Sequence, residues 1–178
     1  MRIGGIILFA SIFFCGKIAA QSTGSRSVRL TLPVVALLSV VPSDPIILNF
    51  TAPGEAGNRL VNPSSNDAKW INYSSAIAQN SPNRVITAAI SQNITGITIR
   101  LNTSNASGGG GGVLGSPVNQ VTLSTVPITI ISGIGGAFTG IGVNYGHKIT
   151  FSADVNDYKS LTAASNNVIN VIYTISDF

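Results

Sequence analysis

Apolar residues in this chain recur at every second position in short runs, and each run is closed by Gly, Pro, Asn or Ser. Successive side chains of an extended strand point to opposite faces, so such alternation suits strands with one buried and one wet face. A helix needs a 3.6-residue period, and that period is hard to find anywhere after Gln21. The expected fold class is therefore all-β.

The runs fall at residues 27–32, 34–41, 46–50, 69–74, 84–91, 97–102, 118–125, 127–132, 147–155 and 167–176. Strands of that length and spacing predict an immunoglobulin-like or pilin-like β-sandwich of about 7–9 strands. Within 69–74, Trp70 and Asn72 share one face and Ile71 and Tyr73 the other. Trp70 is expected to anchor the core between two sheets, with Tyr73, Phe151 and Tyr173 as further core anchors, because large aromatics dominate core burial. In 27–32 the alternating set is Val28, Leu30 and Leu32. That segment is expected to be an edge strand or one given to a partner.

Two glycine-rich stretches interrupt the pattern. Residues 103–112 (TSNASGGGGG) predict a mobile tip centred on Gly108, Gly109, Gly110, Gly111 and Gly112. Residues 133–146 (GIGGAFTGIGVNYG) predict a connection carrying Gly140 and Tyr145. Both are candidate binding loops, since loops on a rigid scaffold commonly carry recognition.

The N-terminus reads as a secretory signal spanning residues 1–20. Arg2 supplies a positive start, residues 3–14 (IGGIILFASIFF) form an apolar run too short to span a bilayer, and Ala20 gives a cleavage site before Gln21. A competing reading makes Cys15 the lipid-bearing residue of a lipoprotein. Cleavage would leave a polar leader at 21–26 and a single domain over 27–178. The expected address is extracellular, at the cell surface or in the periplasm, with no stable membrane insertion.

Export changes what composition means. Of 10 Lys+Arg and 6 Asp+Glu, Arg2 and Lys17 would leave with the signal, so the mature chain carries only a small positive excess. The remaining cations are scattered, without the clustering or aromatic interleaving of a phosphate-binding face, which argues against a nucleic-acid partner. They are expected to be isolated solvated charges. The single Cys would also be lost, leaving no disulfide, thiol nucleophile or thiolate metal site.

Catalytic inventories are thin. His147 is the only His and opens a strand, no Ser occupies a nucleophile elbow, and no enzyme activity or cofactor is expected. Asp154, Asn156 and Asp157 suit an ordinary Asx-rich turn, with a weak extracellular Ca²⁺ site as the alternative. Gly133-Ile-Gly-Gly and Gly140-Ile-Gly lack the Lys-Ser/Thr and following helix of a phosphate cradle. Sequons at Asn49, Asn72, Asn93, Asn102 and Asn105 follow from a composition rich in Asn, Ser and Thr.

The stretches KWINYSS (69–75), TIISGIGGAFTGIGVNYGHKITFSADV (129–155) and VIYTISD (171–177) resemble a group of small exported proteins of Bacteroidota. More distantly, the glycine-rich late segment followed by a terminal alternating strand resembles spore-coat-U-type and other chaperone–usher pilin domains. That second resemblance implies an incomplete immunoglobulin-like sandwich completed by the N-terminal strand of a neighbouring subunit. The expected function is a secreted or surface structural subunit, fimbrial or fibre-forming, associating with itself or another surface protein. The alternative is a monomeric adhesin-like module that recognises glycan or protein through the glycine-rich loops.

Overall fold

A computed structural model describes residues 22–163 and 168–178. The expectations placed on residues 1–20, including the signal, its cleavage and Cys15, lie outside the described residues, as does Asn167. The chain divides into two units, Met1–Leu32 and Pro33–Phe178. In the first, residues 22–32 form no regular secondary structure. The second is all-β.

Nine strands form among the described residues: β1 (Val35–Val41), β2 (Asn66–Ala76), β3 (Arg84–Ile90), β4 (Ile97–Ser107), β5 (Gly111–Pro117), which no predicted run covers, β6 (Val121–Thr122), β7 (Ile128–Phe138), β8 (Gly146–Val155) and β9 (Val171–Asp177). A 3₁₀ turn, Tyr158–Ser160, lies between β8 and β9. All pairings are antiparallel. They run in the order β6-β4-β8-β2-β7-β3-β9, with β1 added to β2 and β5 to β7.

β2 is the corner of this sheet. Its first half pairs with β8 through Asn66–Ile71, whereas Ser74 and Ser75 pair with Phe138 and Ala137 of β7. A strand shared in this way lets the sheet fold over, and bulges in β2, β3 and β4 supply the extra bending. Ile71, Leu101, Ile149 and Phe151 from one half then meet Ile86, Ile130, Ile131 and Ile134 from the other in one hydrophobic cluster. This is the sandwich-like closure that alternation predicts.

Several expected features lie elsewhere. Trp70 is half-buried and outside the core cluster, because strand parity places it on the face of β2 opposite Ile71 and Tyr73. Phe151 and Tyr73 lie within the cluster, and Tyr173 packs against it from the edge strand β9. Residues 46–50 form no strand; an isolated bridge from Thr51 to Val61 closes that loop instead. Residues 27–32 also form none.

The glycine-rich segments are more ordered than their composition suggests. β4 continues through Ser107, the chain turns at Gly108, Gly109 and Gly110, and Gly111 and Gly112 already belong to β5. Gly112 has φ near +85°, and a Cβ there would run into the carbonyl of Gly136 across the β5–β7 ladder. Glycine is therefore what allows the two backbones to approach, and the stretch 133–136 likewise lies inside β7.

Two of the cations expected to be solvated, Lys69 and Arg84, lie instead at the margin of the interior. Lys69 is buried and its Nζ donates to the carbonyls of Pro42, at 2.8 Å, and Asp44. Arg84 is also buried; its Nε donates to Asp177 at 2.7 Å, and its Nη1 to the Val35 carbonyl and the Ser75 hydroxyl. Each cation satisfies acceptors that would otherwise be stranded at the margin of the core.

Candidate functional site: the open edge between β1 and β9

β1 pairs with β2 and β9 with β3, and among the described residues neither forms a ladder on its other side. Register shows what this leaves uncovered. Leu38 and Val40 of β1 lie opposite Tyr73 and Ile71 of β2, and all four face inward. On the other half, Val171, Tyr173 and Ile175 lie opposite Ile90, Ala88 and Ile86. The residues of β2 and β3 are buried, whereas their five partners on the edges are only half-buried although they pack on the same core.

A completed sandwich would cover those five side chains as fully as their partners. Their shared half-exposure leaves inward-facing apolar surface partly open along both edges. Arg84 closes one end of this edge, since its guanidinium reaches both Val35 at the start of β1 and Asp177 at the end of β9. The Tyr173 hydroxyl is buried without a hydrogen-bond partner, and burial pushes its pKa up. A long polar-tipped side chain with an unmet donor is unusual for a finished core.

In the first unit, Val28, Leu30 and Leu32 are 90%, 78% and 81% exposed. The alternation noted in the sequence is thus intact, unpaired and on display. In an extended conformation such a segment would present both a row of backbone groups and an apolar face.

The candidate loops come together at one end of the second unit. Gly108 and Gly140 both press on the Tyr145 ring, where a Cβ at either would lie 2.5 Å from its Cδ1. Asn72, on the outward face of β2, is buried beneath the 140–146 loop; its Nδ2 donates to the Tyr145 carbonyl at 2.6 Å and its Oδ1 accepts from Gly142 N–H at 2.8 Å. Sequence reading treats Asn72 as a sequon of no consequence, and only the fold reveals its role.

Titratable groups elsewhere are engaged structurally. His147 is fully buried; Nδ1 donates to the Ser104 carbonyl at 2.9 Å and Nε2 lies 3.1 Å from the Tyr73 hydroxyl, which also donates to the Leu114 carbonyl. The rings stack with centroids 5.8 Å apart. Burial holds the imidazole below its ordinary pKa, against the opposing pull of the Ser104 and Leu114 carbonyls.

Asp154 pairs with Arg100, while Asp157 caps the 3₁₀ turn by accepting from Lys159 N–H and the Ser160 hydroxyl. The two carboxylates serve separate contacts and do not converge. An apolar depression of about 270 Å³ between Val85, Thr129, Ser132 and Phe178 has hydroxyls but no base in its lining. Among the described residues no helix is long and apolar enough to cross a membrane.

Comparison with protein-family models, with curated proteins and with solved structures finds no match to the chain.

Proposed function

We propose that this protein is an exported structural subunit that assembles by β-strand addition, residues 27–32 of one copy completing the open edge between β1 and β9 of the next. The observation carrying this reading is the register match of half-buried to buried residues along β1–β2 and β9–β3. The sandwich has inward apolar surface without a cover, and the same chain has an alternating apolar segment without a sheet. Strand addition joins the two, with main-chain hydrogen bonds giving strength and alternate side chains giving register.

Burying Val28, Leu30 and Leu32 would each contribute ~1.5–3 kcal/mol before the cost of ordering the segment. Such a subunit works at a surface or in a fibre outside the cytoplasm, in keeping with the apolar stretch at residues 3–14. The test is light scattering of the chain starting at Gln21 beside one lacking residues 21–32. The full chain grows in mass with concentration, whereas the shortened one stays monomeric, remains folded and binds a peptide of residues 22–32. A full chain that remains monomeric at the highest soluble concentration removes the proposal.

A further inference from the structure

From Leu101 to His147 the chain contains no Asp, Glu, Lys or Arg. This span includes β4 after Arg100, β5, β6, β7 and the loop into β8, so none of these segments carries a charge. At one end of the second unit the 108–110 turn and the 140–146 loop meet, and four large apolar side chains stand exposed: Ile141 at 93%, Phe138 at 55%, Val143 at 48% and Tyr145 at 38%. The exposed neutral groups Asn105 and Ser107 lie at the end of β4, and Asn144 lies on the 140–146 loop.

This end is built, not slack. Asn72 holds the 140–146 loop from below through two hydrogen bonds, the Ser107 hydroxyl donates to the Asn144 carbonyl at 3.3 Å, and two glycines seat Tyr145. A Cβ on Gly111 would lie 3.1 Å from Phe138 Cε1, so the polyglycine turn lies against both aromatic rings. Apolar side chains fixed in exposed positions on ordered loops cost solubility, and monomeric surfaces seldom keep such patches without a use.

We infer that this uncharged tip binds a neutral carbohydrate, the apolar and aromatic side chains meeting the C–H faces of the sugar rings and Asn144, Asn105 and Ser107 meeting their hydroxyls. An anionic polysaccharide or phosphate would require Arg or Lys, and a cationic ligand would require carboxylates. Peripheral membrane docking pairs apolar residues with Lys and Arg, which these segments lack. Four side chains, one at the end of β7 and three on the 140–146 loop, also make a small patch beside the ~800 Å² per partner typical of a stable protein interface. This inference stands independently of strand addition, which uses the β1–β9 edge.

The test is depletion of the full chain from solution by insoluble cellulose, chitin, starch and mannan, beside pectin and phosphatidylcholine vesicles. At least one neutral polysaccharide retains the protein. Retention falls at least tenfold in Ile141→Asp and in Phe138→Ser, and is unchanged in Val126→Asp, an exposed position just before the opposite end of β7. Both tip side chains are largely exposed, so the folded state is expected to survive, and circular dichroism checks it. The inference is overturned by retention on none of the four neutral polysaccharides, by binding to pectin or vesicles instead, or by tip variants that are retained as well as the parent.

Discussion

Replacing Leu30 by Ala tests strand addition through its energetics. Truncation removes three carbons, worth ~0.8 kcal/mol each on burial, or ~2.4 kcal/mol in all. Leu30 is 78% exposed in the free segment, so nearly all of that area is available to be buried when the strand docks. The expected loss is ~2 kcal/mol per interface, which at ~1.4 kcal/mol per decade weakens association about 25-fold. Each copy donates one strand and accepts one, so every junction carries the same loss. Concentration-dependent light scattering reads it as an upward shift of the assembly midpoint by that factor. Arg29→Ala, whose side chain has the opposite parity, should shift the midpoint less than threefold. Equal shifts for the two variants, or no shift for Leu30→Ala, would refute the alternating-pocket argument even if the protein assembles.

Arg84→Met keeps the side-chain volume but removes the donors to Asp177, Val35 and Ser75; urea denaturation should show ~2 kcal/mol lost, the scale of a hydrogen bond to a charged group. His147 is the sole His, and burial lowers its folded pKa below that of the unfolded chain, so the unfolded state takes up its proton first as pH falls. The thermal midpoint should therefore be flat above about pH 7 and decline as pH drops below ~6.5, down to the folded pKa, and His147→Gln should remove that slope. Asn72→Ala removes both pins on the 140–146 loop; hydrogen exchange of Gly142 and its neighbours should speed up while that of β3 stays unchanged, with ~1–2 kcal/mol of stability lost.

The strands that face the core declare themselves in the sequence. Ile149, Phe151 and Ala153 alternate in β8, and Val171, Tyr173 and Ile175 alternate in β9, because each strand has one face on the cluster and one toward solvent. Alternation states what a segment would bury given a partner, however, and not whether the partner is present. Residues 27–32 show the same pattern as β9 and form no strand. The converse holds for Gly111 and Gly112, which lie in β5 yet have no side chains to display a period; their pairing is set by β7.

Trp70 shows parity overriding bulk: Ile71 and Tyr73 occupy the core face of β2, so the larger ring must take the other. Lys69 and Arg84 look like surface cations in sequence, because their acceptors lie on segments far away in the chain: Pro42 and Asp44 for one, Val35 and Asp177 for the other. The open edge is legible only from register. Nothing local in Leu38 or Tyr173 distinguishes a covered inward position from an uncovered one.

Hydrogen exchange on the full chain, followed from dilute to concentrated solution, tests the central claim most directly. Amides of residues 27–32, and those of β1 and β9 on their unpaired sides, should exchange freely when dilute and become protected together as mass grows. Growth in mass while residues 27–32 stay unprotected would contradict strand addition, as would protection of those residues without any change at β1 and β9.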